Sequence, residues 1–160
     1  MSHRTSDLFR LVYRSHSALD GSAPRVQAMI EGIIECSQRR NADAGITGAL
    51  IYTQSLFVQA LEGPALAVEA AFDRICCDLR HEKIEVAEYG PVLERGFGNW
   101  SMRLVRPDDP VPELYDDGSG VEDATEFAAT TIKLMAVLLR TGPTVSGGNK
   151  PAVNGMGGYR

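Results

Sequence analysis

The sequence predicts an α+β fold, a ferredoxin-like sandwich in which two helices lie on one face of a mixed five-stranded sheet, with a C-terminal helical cap. Three observations support this prediction. Two segments repeat apolar residues at helical spacing, short apolar segments surround them in the order βαββα, and two more extended segments follow. A chain of 160 residues is long enough for one domain with a hydrophobic core and an appendage.

The first strand and the first helix are indicated by their different periods. Residues 8–15 alternate between two faces, with Tyr13 in the middle of one of them. Turn-forming residues at 20–22 end this strand. From residue 26 to 37 apolar side chains recur every three or four positions, which predicts an amphipathic helix that ends near Asn41.

A hairpin and a second helix come next. Residues 46–53 and 56–62 are short apolar segments separated only by Gln54 and Ser55, which is typical of a tight hairpin without the favoured Asn-Gly pair. The segment 65–79 then carries apolar residues on one helical face. It is therefore predicted to be the second helix of the sandwich.

Two strands and a third helix complete the predicted elements. Residues 84–94 and 100–105 read as extended, and in a strand Trp100 and Met102 would share one face. The segment 123–140 is a helix with a wide apolar face. That face needs burial, either on the free face of the sheet or in a partner.

The charges are distributed unevenly along the chain. Its formal net charge is −5, but residues 1–106 carry −1, residues 107–126 carry −8, and residues 127–160 carry +4. An acidic balance argues against a nucleic-acid partner, because such proteins neutralise phosphates. The acidic segment instead predicts a boundary between two parts of the chain.

This boundary leads to a division into three parts. We expect a folded domain over residues 1–106, an acidic linker with the cap helix over 107–141, and a flexible tail over 142–160. The polar first seven residues lack the apolar stretch of a signal peptide, and the longest aliphatic run is too short for a membrane span. The expected location is the cytoplasm, with no membrane partner.

The sequence lacks the usual motifs of enzymes, but two polar residues stand in apolar strands. It has no phosphate-binding glycine loop, no nucleophile elbow and no Cys/His cluster at metal-ligand spacing, so no metal is expected. Gln59 is in phase with Phe57 and Leu61, and Tyr13 is mid-strand. A buried amide or hydroxyl needs a hydrogen-bond partner, which can be a ligand, a backbone carbonyl or water.

Five short motifs, taken together, resemble the BLUF family, blue-light sensors that use flavin. In family order they are Leu11-Val-Tyr-Arg-Ser15, Asn41 with Gly45-Ile-Thr-Gly48, Phe57-Val-Gln-Ala-Leu-Glu-Gly63, Asp78-Leu-Arg-His81 and Asn99-Trp-Ser-Met102. The resemblance covers about residues 8–105. The family fold is a ferredoxin-like sheet with two helices around the flavin, which agrees with the pattern above.

The resemblance implies a cofactor, FAD, held noncovalently between the first two helices, and a role for each matching residue. Tyr13 resembles the photoactive tyrosine, which donates an electron and a proton, and Gln59 the glutamine that rearranges beside the flavin. Trp100 and Met102 match the segment that passes the signal on. Besides Tyr13 and Gln59, the cofactor-binding residues implied are Ser15, Ile33, Ser37, Arg40, Asn41, Phe57, Arg80 and His81.

The resemblance also implies how the signal leaves the domain. Residues 107–160 are too few for an enzymatic output domain, so the chain is similar to the short, non-enzymatic family members. These signal to a separate effector protein or through an oligomer, and we expect a homo-oligomer. The helix at 123–140 is expected to pack on the sheet face that carries Val12.

Two other functions are compatible with the same fold. A small hydrolase of the acylphosphatase type needs an arginine that binds an anion and an asparagine that positions water, and Arg14 and Asn41 are the candidates. An RNA-binding sheet would need exposed aromatic residues in basic surroundings, which the charge does not favour.

Overall fold

The computed structural model describes residues 7–53, 55–105 and 124–141. Of the predicted linker and cap over 107–141, only residues 124–141 are described. The predicted tail lies outside the described residues. The elements in chain order are β1 (Leu8–Ser17), α1 (Ala23–Ala44), β2 (Thr47–Thr53), β3 (Leu56–Pro64), α2 (Ala65–Cys76), β4 (His81–Pro91), β5 (Arg103–Val105) and α3 (Ala124–Thr141).

The strands form one mixed sheet in the order β4-β1-β3-β2-β5. Strand β1 is antiparallel to both β3 and β4, β2 is antiparallel to β3, and β2 is parallel to β5. Helix α1 connects β1 to β2 across the intervening β3. The α+β, ferredoxin-like prediction is therefore confirmed, including the five strands and the third helix.

The alternation of β1 divides the interior between the two faces of the sheet. Leu11 and Tyr13 point to the face covered by α1 and α2, where they belong to a buried cluster that we call the helix-side core. Val12 points the other way, into a cluster that contains Phe127 and Met135 of α3, which we call the cap-side core. Helix α3 thus covers the sheet face of Val12, as the sequence analysis expected.

The last strand is shorter than predicted, because β5 begins at Arg103. The three preceding carbonyls are hydrogen-bonded elsewhere: Trp100 O accepts from Gly48 N (3.0 Å), Ser101 O from Asn41 Nδ2 (2.8 Å) and Met102 O from Gln38 Nε2 (3.1 Å). This irregular backbone breaks the strand alternation. The prediction that Trp100 and Met102 share one face is therefore wrong, since Trp100 packs on the cap-side core and Met102 lies in the helix-side core.

Two helix ends also differ from the prediction. Helix α1 continues past Asn41 and ends at Ala44. Gly45 follows as its C-cap, and its φ of 71° is the left-handed conformation favoured at this position. Helix α2 ends at Cys76 rather than at residue 79. No helix in the described part of the chain is sufficiently long and apolar to span a membrane.

Strands β2 and β3 approach so closely at Gly48 that a side chain there has no room. A Cβ on Gly48 would lie 2.2 Å from the carbonyl oxygen of Ala60. We therefore expect Gly48→Ala to lower the free energy of unfolding by about 3 kcal/mol, because the backbone must move apart. Gly32→Ala is the matched control, since nothing lies within 4 Å of its new Cβ. In helix α1 it should raise the free energy of unfolding by about 0.5–1 kcal/mol. Urea denaturation measures both, and equal effects would contradict this account of the sheet.

Candidate functional site

An open cleft lies between α1 and α2 on the helix-side face of the sheet. Its walls are apolar where the helices and strands face each other, and polar along one side and at its mouth. The lining residues are Ile33, Cys36, Ser37, Arg40, Asn41, Leu50, Gln59, Leu61, Ala71, Arg74, Ile75, Asp78, Arg80 and His81. Such a cleft suits a ligand that combines apolar surface with hydrogen-bonding groups and an anionic end.

A buried hydrogen-bond chain forms one side of the cleft. Tyr13 on β1 is directly opposite Gln59 on β3, and both side chains are buried. The Tyr13 hydroxyl donates to Gln59 Oε1, and Gln59 Nε2 lies 3.6 Å from Met102 Sδ. Gln59 itself lines the cleft. Its amide therefore connects a tyrosine, a methionine and any ligand that binds there.

The environment of Tyr13 keeps its hydroxyl protonated. Burial raises the pKa of Tyr13 far above its ordinary value, and the charges of Asp78 and Cys76 add to this effect. The ring packs against Phe72 with centroids 5.6 Å apart. Proton release from the ground state is therefore disfavoured, and Tyr13 acts as a hydrogen-bond donor at physiological pH.

Helix α1 contributes two amides on one face, Asn41 and Gln38. Asn41 is buried and donates to Ser101 O, and Gln38, one turn earlier, donates to Met102 O. Both fix the backbone of the segment that carries Met102. Asn41 is predicted from the sequence and Gln38 is not, although the spacing of three residues places both on the same helical face.

A second set of contacts in the site is centred on His81, at the start of β4. Its Nδ1 lies 2.7 Å from Ser15 Oγ, and its ring stacks near Phe57 with centroids 4.6 Å apart. Burial lowers the pKa of His81, Asp78 opposes this shift, and Arg80 adds to it. His81 therefore lines the cleft as a neutral imidazole held by Ser15.

The lowered pKa of His81 predicts a pH-dependent stability. The unfolded chain, with the ordinary pKa of 6.5, binds a proton before the folded chain does. The free energy of unfolding should therefore fall as the pH drops below about 6.5. Urea denaturation at about pH 7.5 and about pH 5.5 measures this difference, because one pH lies on each side of the ordinary histidine pKa of about 6.5. The difference should shrink in His81→Gln and persist in His16→Gln, whose side chain is exposed; the same slope in all three proteins would contradict the assignment.

The mouth of the cleft is positively charged. Arg40 on α1, Arg74 on α2 and Arg80 before β4 all line it, and Asp78 is the acidic residue among them. The Arg80 Nε donates to both Asp78 oxygens, at 2.9 and 3.0 Å, and this hydrogen bond lowers the pKa of Asp78. The guanidinium groups can bind phosphate. Arg74 is not among the residues predicted from the sequence, and the end of α2 brings it beside them.

The predicted site residues occupy two layers around the cleft. Seven of them line it directly: Ile33, Ser37, Arg40, Asn41, Gln59, Arg80 and His81. Three stand behind these: Tyr13 bonds to Gln59, and Ser15 and Phe57 contact His81. Of the two predicted signalling residues, Met102 reaches Gln59, whereas Trp100 lies on the cap-side core.

Comparison with known proteins places this geometry in a family. Residues 8–103 match the family model described as sensors of blue-light using FAD, or BLUF. The solved structure "BlrB - a BLUF protein, dark state structure" is similar, with a TM-score of 0.68 and 35% identity over 83% of this chain and 98% of that one. A bacterial light-regulated adenylyl cyclase has a TM-score of 0.58 and 27% identity, over 83% of this chain and 36% of that one.

The curated relatives are longer proteins. The blue light- and temperature-regulated antirepressor BluF of Escherichia coli (strain K12) is 33% identical over 119 residues, which are 70% of this chain and 28% of the relative. The photoactivated adenylate cyclase subunit beta of Euglena longa is 34% identical over 98 residues, which are 61% of this chain and 11% of the relative. The chain thus spans only the part of each relative that corresponds to this fold.

Proposed function

The chain belongs to the BLUF family of blue-light sensors that use flavin, and we propose that it binds FAD noncovalently in the cleft between α1 and α2. The observation that carries this proposal is the buried chain from Tyr13 through Gln59 to Met102 beside that cleft. The amide that can rearrange lines the cleft, and the tyrosine donor stands directly behind it. No other group of residues described in the structure combines these properties with a cleft.

The residues of the cleft fit the chemistry of FAD. Ile33, Leu50 and Leu61 give apolar surface to a flat ring system, and the Asn41 and Gln59 amides give a polar edge. At the mouth, arginine guanidinium groups match the charge of a pyrophosphate. The guanidinium groups suit the phosphate of either flavin, and FAD is proposed because it is the flavin that the description of the family names.

Tyr13 is proposed to donate an electron and a proton in the light. Bound flavin supplies the absorption of blue light and, when excited, a strong oxidant. In the dark the raised pKa keeps the proton on Tyr13, where it is directed at Gln59 Oε1. A phenol that has lost an electron becomes a strong acid, so the proton moves towards Gln59 only after illumination.

Gln59 is proposed to convert this transfer into a rearranged hydrogen-bond pattern. Its Oε1 accepts from Tyr13, while its Nε2 faces Met102 Sδ. Rotation or tautomerisation of the amide exchanges the donor and acceptor that it presents to its neighbours. The electron and the proton then return to Tyr13, so no lasting redox change remains. The changed donor that Gln59 would present beside the flavin would shift the absorption to the red, and Met102 would lose its contact at the same time.

The output is proposed to pass to a separate effector protein rather than to chemistry of this chain. Helix α3 and Trp100 share the cap-side core, so a change at the 100–102 segment can reach α3. The relatives named above are an antirepressor and a cyclase subunit, in which such a domain accompanies an effector. We further propose a cytoplasmic homo-oligomer that binds neither nucleic acid nor membranes.

The acylphosphatase-type alternative is not favoured. Its candidate arginine, Arg14, points to the cap side, where its guanidinium lies 5.1 Å from the Phe127 ring centroid and 2.7 Å from Glu85. Asn41 lies on the helix side of the sheet. The two residues therefore cannot bind one substrate.

Absorption spectroscopy of the purified protein tests the proposal. We expect a flavin spectrum, release of FAD rather than FMN on heating, and a red shift under blue light that reverses in darkness. Protein that cannot be loaded with either flavin would refute the binding site. Bound flavin without a light-induced shift would refute the photoreceptor mechanism.

A further inference from the structure

Glu62 is a fully buried carboxylate that the proposed photochemistry does not use. It lies on β3 three residues after Gln59, and the strand alternation points its side chain away from the cleft. Arg10 donates to its Oε1 from Nε (3.1 Å) and Nη2 (2.9 Å). A buried carboxylate is costly unless every oxygen is satisfied, so such a residue needs a structural reason.

The remaining contacts of Glu62 show what it holds. The Thr47 hydroxyl on β2 donates to Oε2 at 3.3 Å, and the other contacts come from residues 95–97. The backbone N–H of Gly96 donates to Oε1 (2.8 Å) and that of Phe97 to Oε2 (3.1 Å). A Cβ on Gly96 would lie 3.2 Å from both Glu62 Oε1 and Arg10 Nη2, so glycine permits this close approach. The adjacent Arg95 donates to the carbonyl oxygen of Glu62 at 3.1 Å. The carboxylate thus fixes the first residues of the 96–102 segment to β3.

The other end of the same segment carries the contact with the photochemical site. Gly48, Asn41 and Gln38 hold its last three carbonyls, and Met102 reaches Gln59. Phe97, next to the Glu62 contact, is buried in the cap-side core. The 96–102 segment therefore touches both cores, and Glu62 determines where it starts relative to Gln59.

We propose that Glu62 is a positioning residue for the light response: it holds the start of the 96–102 segment and thereby keeps Met102 in contact with Gln59. The static part of this proposal is that Glu62 holds the 96–102 segment and the contact of Met102 with Gln59 in darkness. The kinetic part rests on the proposed function, because it uses the light-induced spectral shift as its readout.

Glu62→Gln tests the static part. The amide has one acceptor oxygen in place of two, and its NH₂ group faces other donors. We expect the Gly96 and Phe97 amides to exchange hydrogen roughly tenfold faster or more, because a charge-assisted hydrogen bond is lost. The methyl resonance of Met102, assigned with Met102→Leu, should also shift or broaden. Glu94→Gln removes the same charge from an exposed position nearby and should change neither.

A double-mutant cycle tests the kinetic part. Glu62→Gln should leave flavin bound and the red shift present, but change the rate constant of dark recovery by roughly threefold or more. In a Met102→Leu background the same substitution should have little further effect, because Glu62 acts through Met102. A purely structural role would instead give the same factor in both backgrounds.

The outcomes separate this proposal from the proposed function. Unchanged exchange at residues 96–97 together with an unchanged Met102 resonance would overturn it, whatever the photochemistry. An equal change of recovery in both backgrounds would overturn the positioning role. If Glu62→Gln does not fold, Gly96→Ala crowds the carboxylate, because its Cβ would lie 3.2 Å from Glu62 Oε1, and it keeps the charge; the same readouts apply. A wild-type protein without a spectral shift refutes the proposed function, and the exchange and resonance data then decide the Glu62 proposal.

Discussion

Replacement of Gln59 by leucine is expected to abolish the light-induced red shift while flavin remains bound. Leucine fills a similar volume but offers neither the acceptor for Tyr13 nor the donor for Met102. The apolar walls and the arginines at the mouth are untouched, so the affinity for flavin should persist. The buried Tyr13 hydroxyl loses its partner, and the free energy of unfolding should fall by about 1–3 kcal/mol.

Light-minus-dark absorption spectra of flavin-loaded protein measure this effect. Gln27→Leu is a suitable control, because Gln27 lies early in α1 and bonds to Glu31 on the exposed face. It should photocycle as the wild type does. A normal red shift in Gln59→Leu would show that the amide is not the group that rearranges.

Replacement of Tyr13 by phenylalanine is expected to have the same spectral effect for a different reason. The phenylalanine ring retains the packing on Phe72 but carries no hydroxyl to give up a proton to Gln59. Phenylalanine is also much harder to oxidise than tyrosine. The excited flavin should therefore live longer, and its fluorescence should rise as the red shift disappears.

Fluorescence lifetime and difference absorption together measure this prediction. Tyr52→Phe is the matched control, because Tyr52 also packs in the helix-side core, with its ring centroid 5.0 Å from that of Phe57, but it pairs with Phe57 on β3 rather than with Gln59. It should retain both the short lifetime and the red shift. A full photocycle in Tyr13→Phe would require another electron donor and would contradict the role assigned to Tyr13.

Much of this architecture is accessible from the sequence because it depends on local periods. The alternation in β1 correctly places Tyr13 and Val12 on opposite faces, and the apolar stripe at 26–37 predicts helix α1. The hairpin is predicted from two residues, Gln54 and Ser55, and Ser55 indeed adopts a positive φ of 65°. The family motifs then direct attention to the cleft.

The rest depends on contacts between distant segments, which local periods do not contain. The alternation rule failed for Trp100 and Met102, because the side chains of Gln38 and Asn41 take the backbone carbonyls that a ladder would use. Gln38 and Glu62 looked like ordinary polar residues of a helix and a strand. Their roles appear only when the 96–102 segment is seen against α1 and β3.

We propose that light changes the hydrogen bonds between Gln59 and the flavin edge, with no lasting change of redox state. Light-minus-dark infrared difference spectroscopy of the FAD-loaded protein tests it most directly, with Gln59→Leu as the reference. We predict that the ring carbonyl stretch moves to lower frequency in the light, because a carbonyl that accepts a new hydrogen bond is weakened, and that Gln59→Leu shows no such band. A red-shifted absorption with an unchanged carbonyl stretch, or the same band in Gln59→Leu, would contradict the account.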